Sequence, residues 1–227
     1  MINKSIKRLL SILPRNFQQY LRMYHYERQI VKGQFNAGEI EYEQLQNWIK
    51  PGDWVLDIGA NIGHYTYRMS ELVGDNGRVI AFEPIPETFR ILSKNMRLAP
   101  FQNITLMNVA ISDRTANVNM EIPMHDTNLT NYYMAKITSN KTSIKSNCNS
   151  VMSIPVDSLN LNEKISLIKI DVEGHEKQAL DGMIELLRRD CPILIVEGND
   201  KGVEELLTGL GYKYTENPGS PNRVFHN

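Results

Sequence analysis

Residues 55–66 read VLDIGANIGHYT. Asp53 to Ile58 form a short run dense in apolar and branched side chains, the pattern of a strand buried on both faces of a sheet. Gly59 and Gly63 follow, where the backbone can turn tightly and approach a ligand closely. Asn61 to Leu72 then read as a helix that offers its first N–H groups to that turn. Strand, glycine turn and helix make one unit of an alternating pattern.

The chain repeats that unit. Arg78 to Phe82 is a second apolar strand, followed by a helix from Pro86, a favourable first-turn residue, to about Leu98. Ile104 to Val109 is a third. Ile165 to Ile170 and Ile193 to Val196 are two more, followed by helical segments at Lys177 to Arg189 and Gly202 to Leu210. Repeated strand–helix units predict an α/β fold with a mostly parallel, doubly wound sheet covered on both faces.

Between the third and fourth of these strands the pattern changes. Ala116 to Ile122 and Val151 to Val156 alternate like antiparallel strands around a polar stretch at 123–150, which predicts a hairpin-like excursion over the rim of the sheet. Residues 1–50 are helical in pattern and form an expected N-terminal cap, with 51–227 as one compact domain. In the cap, Leu9, Leu10, Ile12, Leu13, Tyr20, Leu21 and Tyr24 line one face. Lys4, Lys7, Arg8, Arg15, Arg22, Arg28 and Lys32 face the single acid Glu27.

Bulk properties exclude several classes. A formal net charge of -1 gives no general attraction for nucleic acid, so none is expected as a partner. Cys148 and Cys191 make neither a disulfide framework nor a metal-ligand spacing and read as free thiols. No run reaches membrane-spanning length, and Pro14 and Arg15 cut the N-terminal apolar run short of a secretory signal. A soluble cytoplasmic protein is expected.

In open parallel sheets ligands bind outside the carboxyl ends of the strands, where strand order reverses. Glu83 ends the second strand, where a carboxylate can accept from both hydroxyls of a nucleoside ribose. Asp57 lies directly under the first turn. A carboxylate there opposes the pyrophosphate of a dinucleotide but suits the ammonium and sulfonium of S-adenosylmethionine. The G-x-G-x-x-G fingerprint also fails, because Asn61 occupies the place of the middle glycine. An NAD-dependent oxidoreductase is therefore the weaker alternative; a non-catalytic cofactor-binding module is another.

VLDIGANIGHYT, VIAFEPIPETFRIL, NVAISDRT, VDSLN and LIKIDVEGHEKQALDG, in this order, resemble the FkbM family of S-adenosylmethionine-dependent methyltransferases over roughly residues 40–200. The resemblance implies a class I methyltransferase-like, seven-stranded Rossmann-like sheet whose reversed C-terminal hairpin falls here at Tyr212 to Tyr214 and Arg223 to Phe225. It implies S-adenosylmethionine as cofactor and methyl transfer to a hydroxyl of a sugar or natural-product small molecule. Asp57, Gly59, Ala60, Asn61 and Gly63 then correspond to the cofactor loop, and Glu83 with Pro84 to the ribose site. Asn108 to Ala110 flank the adenine, Asp113 partners its amino group, and Glu43, beside Tyr42, lies near the methionyl end.

Asp171, Glu173 and Glu197 end or follow adjacent strands and are expected to converge on one edge. A carboxylate there, its pKa raised by burial and like-charged neighbours, serves as general base for the acceptor hydroxyl. The same oxygens alternatively hold a hard divalent cation that orients two substrate hydroxyls, and both readings stand at this level. His175 is a further base candidate, and His64 a weaker one. Glu176 reads as first-turn helix charge, Asp157 as a helix cap, and Lys169 as a partner for one of the rim acids.

Overall fold

The computed structural model describes residues 13–121, 136–138 and 148–227. The helices α1 (Arg15–Val31) and α2 (Ile40–Trp48) precede β1 (Trp54–Ile58), α3 (His64–Val73), β2 (Arg78–Phe82), α4 (Pro86–Met96) and β3 (Ile104–Met107). The short strands β4 (Ala110–Ile111), β5 (Ala116–Glu121), β6 (Lys136–Thr138) and β7 (Cys148–Ile154) come next. The chain then forms β8 (Ile165–Ile170), α5 (Glu176–Asp181), α6 (Ile184–Asp190), β9 (Ile193–Glu197), α7 (Lys201–Gly209), β10 (Lys213–Glu216) and β11 (Asn222–His226).

The main sheet has seven strands in the order β10-β11-β9-β8-β1-β2-β3. β1 pairs in parallel with β2 on one side and β8 on the other, so strand order reverses between β1 and β8. β11 alone runs antiparallel, against both β9 and β10. Both faces are covered. Ile168 and Ile170 pack with Ile58, Phe82, Leu180 and Phe225 on one face. Leu167 packs on the other with Val55, Met69 and Leu45 of α2.

The strand cores fall where the apolar runs placed them; the ends differ for identifiable reasons. α3 begins at His64 rather than Asn61, because Gly59, Asn61 and Gly63 all have positive φ (82°, 52° and 98°) and the turn uses those residues. β3 stops at Met107. The next side chain, Asn108, donates instead to the carbonyls of Glu83 and Pro84 (2.7 and 3.0 Å). The helix expected at Lys177 to Arg189 is two helices. A Cβ on Gly182 would lie 2.0 Å from the Ser112 carbonyl oxygen, so the chain breaks where it passes the loop after β4.

The expected excursion is a second sheet of order β4-β7-β5-β6, in which β5 and β7 are antiparallel partners. Ile85, Ala110, Met120 and Val151 form its core. Most of the stretch 123–150 lies outside the described residues, as do residues 1–12 of the N-terminal cap. Asp157 does cap a helix, but a distant one: its oxygens accept from the N–H groups of Glu185 and Leu186 at the start of α6, both at 3.0 Å.

Fully buried Glu41 ties α2 to the C-terminal hairpin. Its carboxylate accepts from Asn217 Nδ2 (2.6 Å), Ser220 Oγ (2.7 Å) and Asn222 Nδ2 (3.2 Å). Burial pushes its pKa up, but these donors outweigh burial and hold it below the usual range. Its contribution is therefore complete above the unfolded value and lost as pH falls through the folded one. Glu41→Ala orphans the donors and costs about 2 kcal/mol, lowering Tm by roughly 4–8 °C in calorimetry at neutral pH. An unchanged Tm contradicts the tie.

Candidate functional site

A cleft opens at the carboxyl ends of β1, β2, β8 and β9, where strand order reverses. Its floor is the turn after β1. The N–H groups of Gly59 and Ala60 donate to the Phe82 carbonyl at 3.0 and 2.9 Å, fixing the turn to β2. A Cβ on Gly59 would sit 1.8 Å from the Asp171 carbonyl oxygen. Glycine is thus needed for the turn to close against β8, a requirement within the protein rather than one of ligand approach. Gly59 and Asn61 line the cleft, whereas Ala60 and Gly63 are buried behind it.

Glu83 faces the cleft from the end of β2 and is nearly buried. Its Oε1 accepts from Ile85 N–H (2.8 Å) and its Oε2 from Asn61 N–H (2.9 Å), which lock the carboxylate in place while lone pairs remain for a ligand. Burial raises its pKa to about 7. Pro84, Ile85, Ala110, Ile111 and Met120 build an apolar wall beside it. Asn108, expected against the adenine, is exposed, lies outside the cleft lining and donates to the Glu83 and Pro84 carbonyls. Asp113 is exposed and turned to Ser112 (3.0 Å) and Arg114 (3.7 Å), outside the cleft lining.

The opposite rim is acidic. Asp171 lies 3.2 Å from Lys169 Nζ and is hydrogen-bonded to Glu197. Burial pushes the Asp171 carboxyl up, but the Lys169 ammonium and the Glu197 hydrogen bond outweigh it and hold it below the usual range, opposite to the raised pKa expected of a rim base. Glu197, through that hydrogen bond and through burial, is driven above that range. Glu197 is therefore the more readily protonated member of the pair. Lys169 is itself buried, 5.0 Å from the Tyr65 ring centroid, and feels the charges of Asp171, Asp57, Glu39 and Glu197. Asp171, Glu173 and Glu197 line this rim and Lys169 does not, which suits the rim to a cation.

Asp57 reaches this rim only through charge. It is buried, accepts from Thr66 Oγ1 on α3, and is raised by burial to about 6; it does not line the cleft. Glu173, at a positive φ of 54°, and His175 do line it. His175 Nε2 lies 2.9 Å from Ser112 Oγ, and burial lowers its pKa. Glu43 is exposed on α2 and away from the cleft; Glu41 is the acid that α2 buries. His64 packs 4.3 Å from the Phe35 ring centroid, and burial lowers it to about 4, the environment of a core residue rather than of a base. Glu176 accepts from Gly174 N–H at 2.9 Å, as first-turn charge should.

Among the described residues no three His, Cys, Asp or Glu side chains are grouped as metal ligands. Of the alternative cation ligands Asp171, Glu173 and Glu197, Asp171 and Glu197 are hydrogen-bonded to each other and Asp171 pairs with Lys169. Pro84 and Ala110 of the apolar wall were expected at the cofactor site; the residues that the sequence did not point to are Ile85, Ile111 and above all Met120 from the second sheet, together with Ser112. The alternation of β5 held the signal for Met120; nothing local pairs Ser112 with His175.

An α/β sheet of this order, with an acid closing β2 over a glycine turn, is the fold of the class I methyltransferases. The model of the methyltransferase FkbM domain matches residues 57–214, and the chain belongs to that family. S-adenosylmethionine is the cofactor of this family, and the Glu83 carboxylate and the acidic rim fit its ribose and its sulfonium.

Two curated relatives are similar over part of their length. Protein-L-isoaspartate O-methyltransferase of Fervidobacterium nodosum is 31% identical over 129 residues, 57% of this chain and 60% of that protein. Hexuronic acid methyltransferase AglP of Haloferax volcanii is 29% identical over 141 residues, 60% of this chain and 52% of that protein. The FkbM methyltransferase structure from Methylobacillus flagellatus superposes with a TM-score of 0.55 at 15% identity, over 82% of this chain and 50% of that one. A putative rRNA-methylase from Clostridium thermocellum gives 0.51 at 14%, over 81% and 89%, a likeness of fold alone.

A ribose whose hydroxyls donated to the ionised form of Glu83 would make cofactor binding release a proton below the pKa of about 7. The Kd of S-adenosylhomocysteine should rise by about tenfold for each pH unit below that value and level off above it. Calorimetric titration across this range checks it; a flat profile contradicts the assignment.

Proposed function

We propose that this protein transfers a methyl group from S-adenosylmethionine to a hydroxyl of a sugar or other polyhydroxylated small molecule. The observation that carries this reading is the Lys169–Asp171–Glu197 chain, which puts an ionised carboxylate on the rim of the cleft that holds Glu83. The bound cofactor supplies an electrophilic methyl group whose S–C electron pair leaves with sulfur.

Asp171 takes the acceptor's proton as the new O–CH3 bond forms. Lys169 keeps Asp171 ionised, and protonated Glu197 donates to it and fixes its orientation. Glu83 anchors the ribose. Met120, Ile85 and Ile111 exclude water from the adenine side. The similarity to AglP, named a hexuronic acid methyltransferase, favours a sugar acceptor. The excess of carboxyl groups on the rim disfavours a pyrophosphate, and with it a nicotinamide dinucleotide.

Calorimetry with S-adenosylhomocysteine and NADH, followed by methyl transfer to a panel of hexoses, uronic acids and polyhydroxylated scaffolds, tests the reading. Micromolar binding of the first ligand, silence with the second and methyl ether formation support it. Binding of NADH, or methylation confined to carboxyl, nitrogen or carbon positions, overturns it.

A further inference from the structure

The described residues expose seven large hydrophobic side chains, and four of them, Phe17, Tyr20, Tyr24 and Val31, lie on α1. At 3.6 residues per turn these four fall within an arc of about 60°. The opposite side of α1 is occupied: Met23, Tyr26 and Ile30 pack against Phe35, Ile62, Ile91 and Leu92. Gln19 Nε2 donates to the Glu87 carbonyl at 3.1 Å, and Lys94 pairs with Glu27 at 2.8 Å. The outer stripe is therefore no consequence of how α1 docks.

Its charge is one-sided. Arg28 flanks the stripe, its guanidinium 5.9 Å from the Tyr24 ring centroid with Nη1 donating to the Tyr24 hydroxyl at 3.3 Å. Lys32 caps the helix and is exposed. Glu27, the one acid of the helix, is neutralised by Lys94. In sequence the cation excess continues through Lys4, Lys7, Arg8 and Arg15, in a chain of net charge -1. Tyrosines with a flanking cationic edge suit the headgroup level of a bilayer, where rings bury their bodies and basic groups meet anionic lipid.

We propose that the outer face of α1, formed by Phe17, Tyr20, Tyr24, Arg28, Val31 and Lys32, docks the protein on an anionic lipid surface. The test floats the full chain on a density gradient with vesicles of phosphatidylcholine alone, or with one-third phosphatidylglycerol, at low and at high salt. The wild type should partition at least about tenfold more strongly to the anionic vesicles at low salt, and high salt should weaken this.

The triple variant Phe17→Ser, Tyr20→Ser, Tyr24→Ser should lose about tenfold in partition. The double variant Arg28→Glu, Lys32→Glu should lose the preference for anionic lipid. Both should bind S-adenosylhomocysteine and unfold as the wild type does, because the altered side chains point to solvent. A wild type that stays with neither vesicle at low salt overturns the proposal, as do variants that float like wild type. Concentration-dependent dimerisation abolished by the same substitutions would assign the stripe to a second copy instead.

Discussion

Asp171→Asn should leave S-adenosylhomocysteine binding within about threefold of wild type and lower single-turnover methyl transfer to a hydroxyl by about 10³-fold, with 10²–10⁴ the range for loss of a positioned general base. The change keeps the shape and hydrogen-bonding reach of the side chain but removes its capacity to take a proton. Lys169, 3.2 Å away and buried, loses its nearest counter-ion, so some loss of thermal stability should accompany the kinetic defect.

Glu197→Gln is the matched control. The hydrogen bond to Asp171 and burial drive the Glu197 carboxyl up to about 8, so at neutral pH a neutral amide resembles its favoured form and the rate should fall no more than about tenfold. A rate for Asp171→Asn above a tenth of wild type removes Asp171 from the role of base. A carboxyl acceptor, already ionised, needs no base at all, and the variant therefore also separates ether from ester formation. Rapid-quench measurement of radiolabelled methyl transfer, with cofactor affinity measured separately, gives both quantities.

The parts of this arrangement that depend on one strand and the turn after it could be read from the residues in order. Val55 to Ile58 can only be a buried strand, Gly59 must turn, and Glu83 and Asp171 fall at strand ends by counting along apolar runs. What could not be read depends on contacts far apart in the chain. β4 is two residues long and exists because it pairs with Ser153 and Ile154 some forty positions on. The break at Gly182 is set by the carbonyl of Ser112.

The partition of charge among Asp57, Asp171 and Glu197 depends on where one lysine points, and alternation in β8 places Lys169 and Leu167 on the same face without saying which acid lies within reach. For α2 the signal was present but overridden. Glu41, Leu45 and Trp48 share the i, i+4, i+7 spacing of an inward face, which marks Glu41 as the acid facing the protein and Glu43 as exposed.

Glu83→Ala should weaken S-adenosylhomocysteine binding by about 10²–10³-fold, the sum of two hydroxyl hydrogen bonds to a charged acceptor at roughly 1.5–3 kcal/mol each, less what water recovers. Part of that loss is indirect. The Glu83 carboxylate also accepts the N–H groups of Asn61 and Ile85, so alanine frees two backbone donors and loosens the turn that lines the cleft. Glu83→Gln separates the contributions, because an amide retains one acceptor oxygen for the backbone while losing the charge. Its affinity should lie between the two, and it should lose the pH dependence that ionisation near pH 7 imposes on the wild type.

The ligand supplies the complementary cut. An analogue lacking the ribose 2′-hydroxyl should bind wild type about tenfold more weakly than the parent compound and should bind Glu83→Ala with the same affinity as the parent. Coupling of that kind places the ribose on Glu83. If the deoxy analogue loses equally in both proteins, Glu83 acts only as a brace for the turn, and the ribose must be held elsewhere along the cleft.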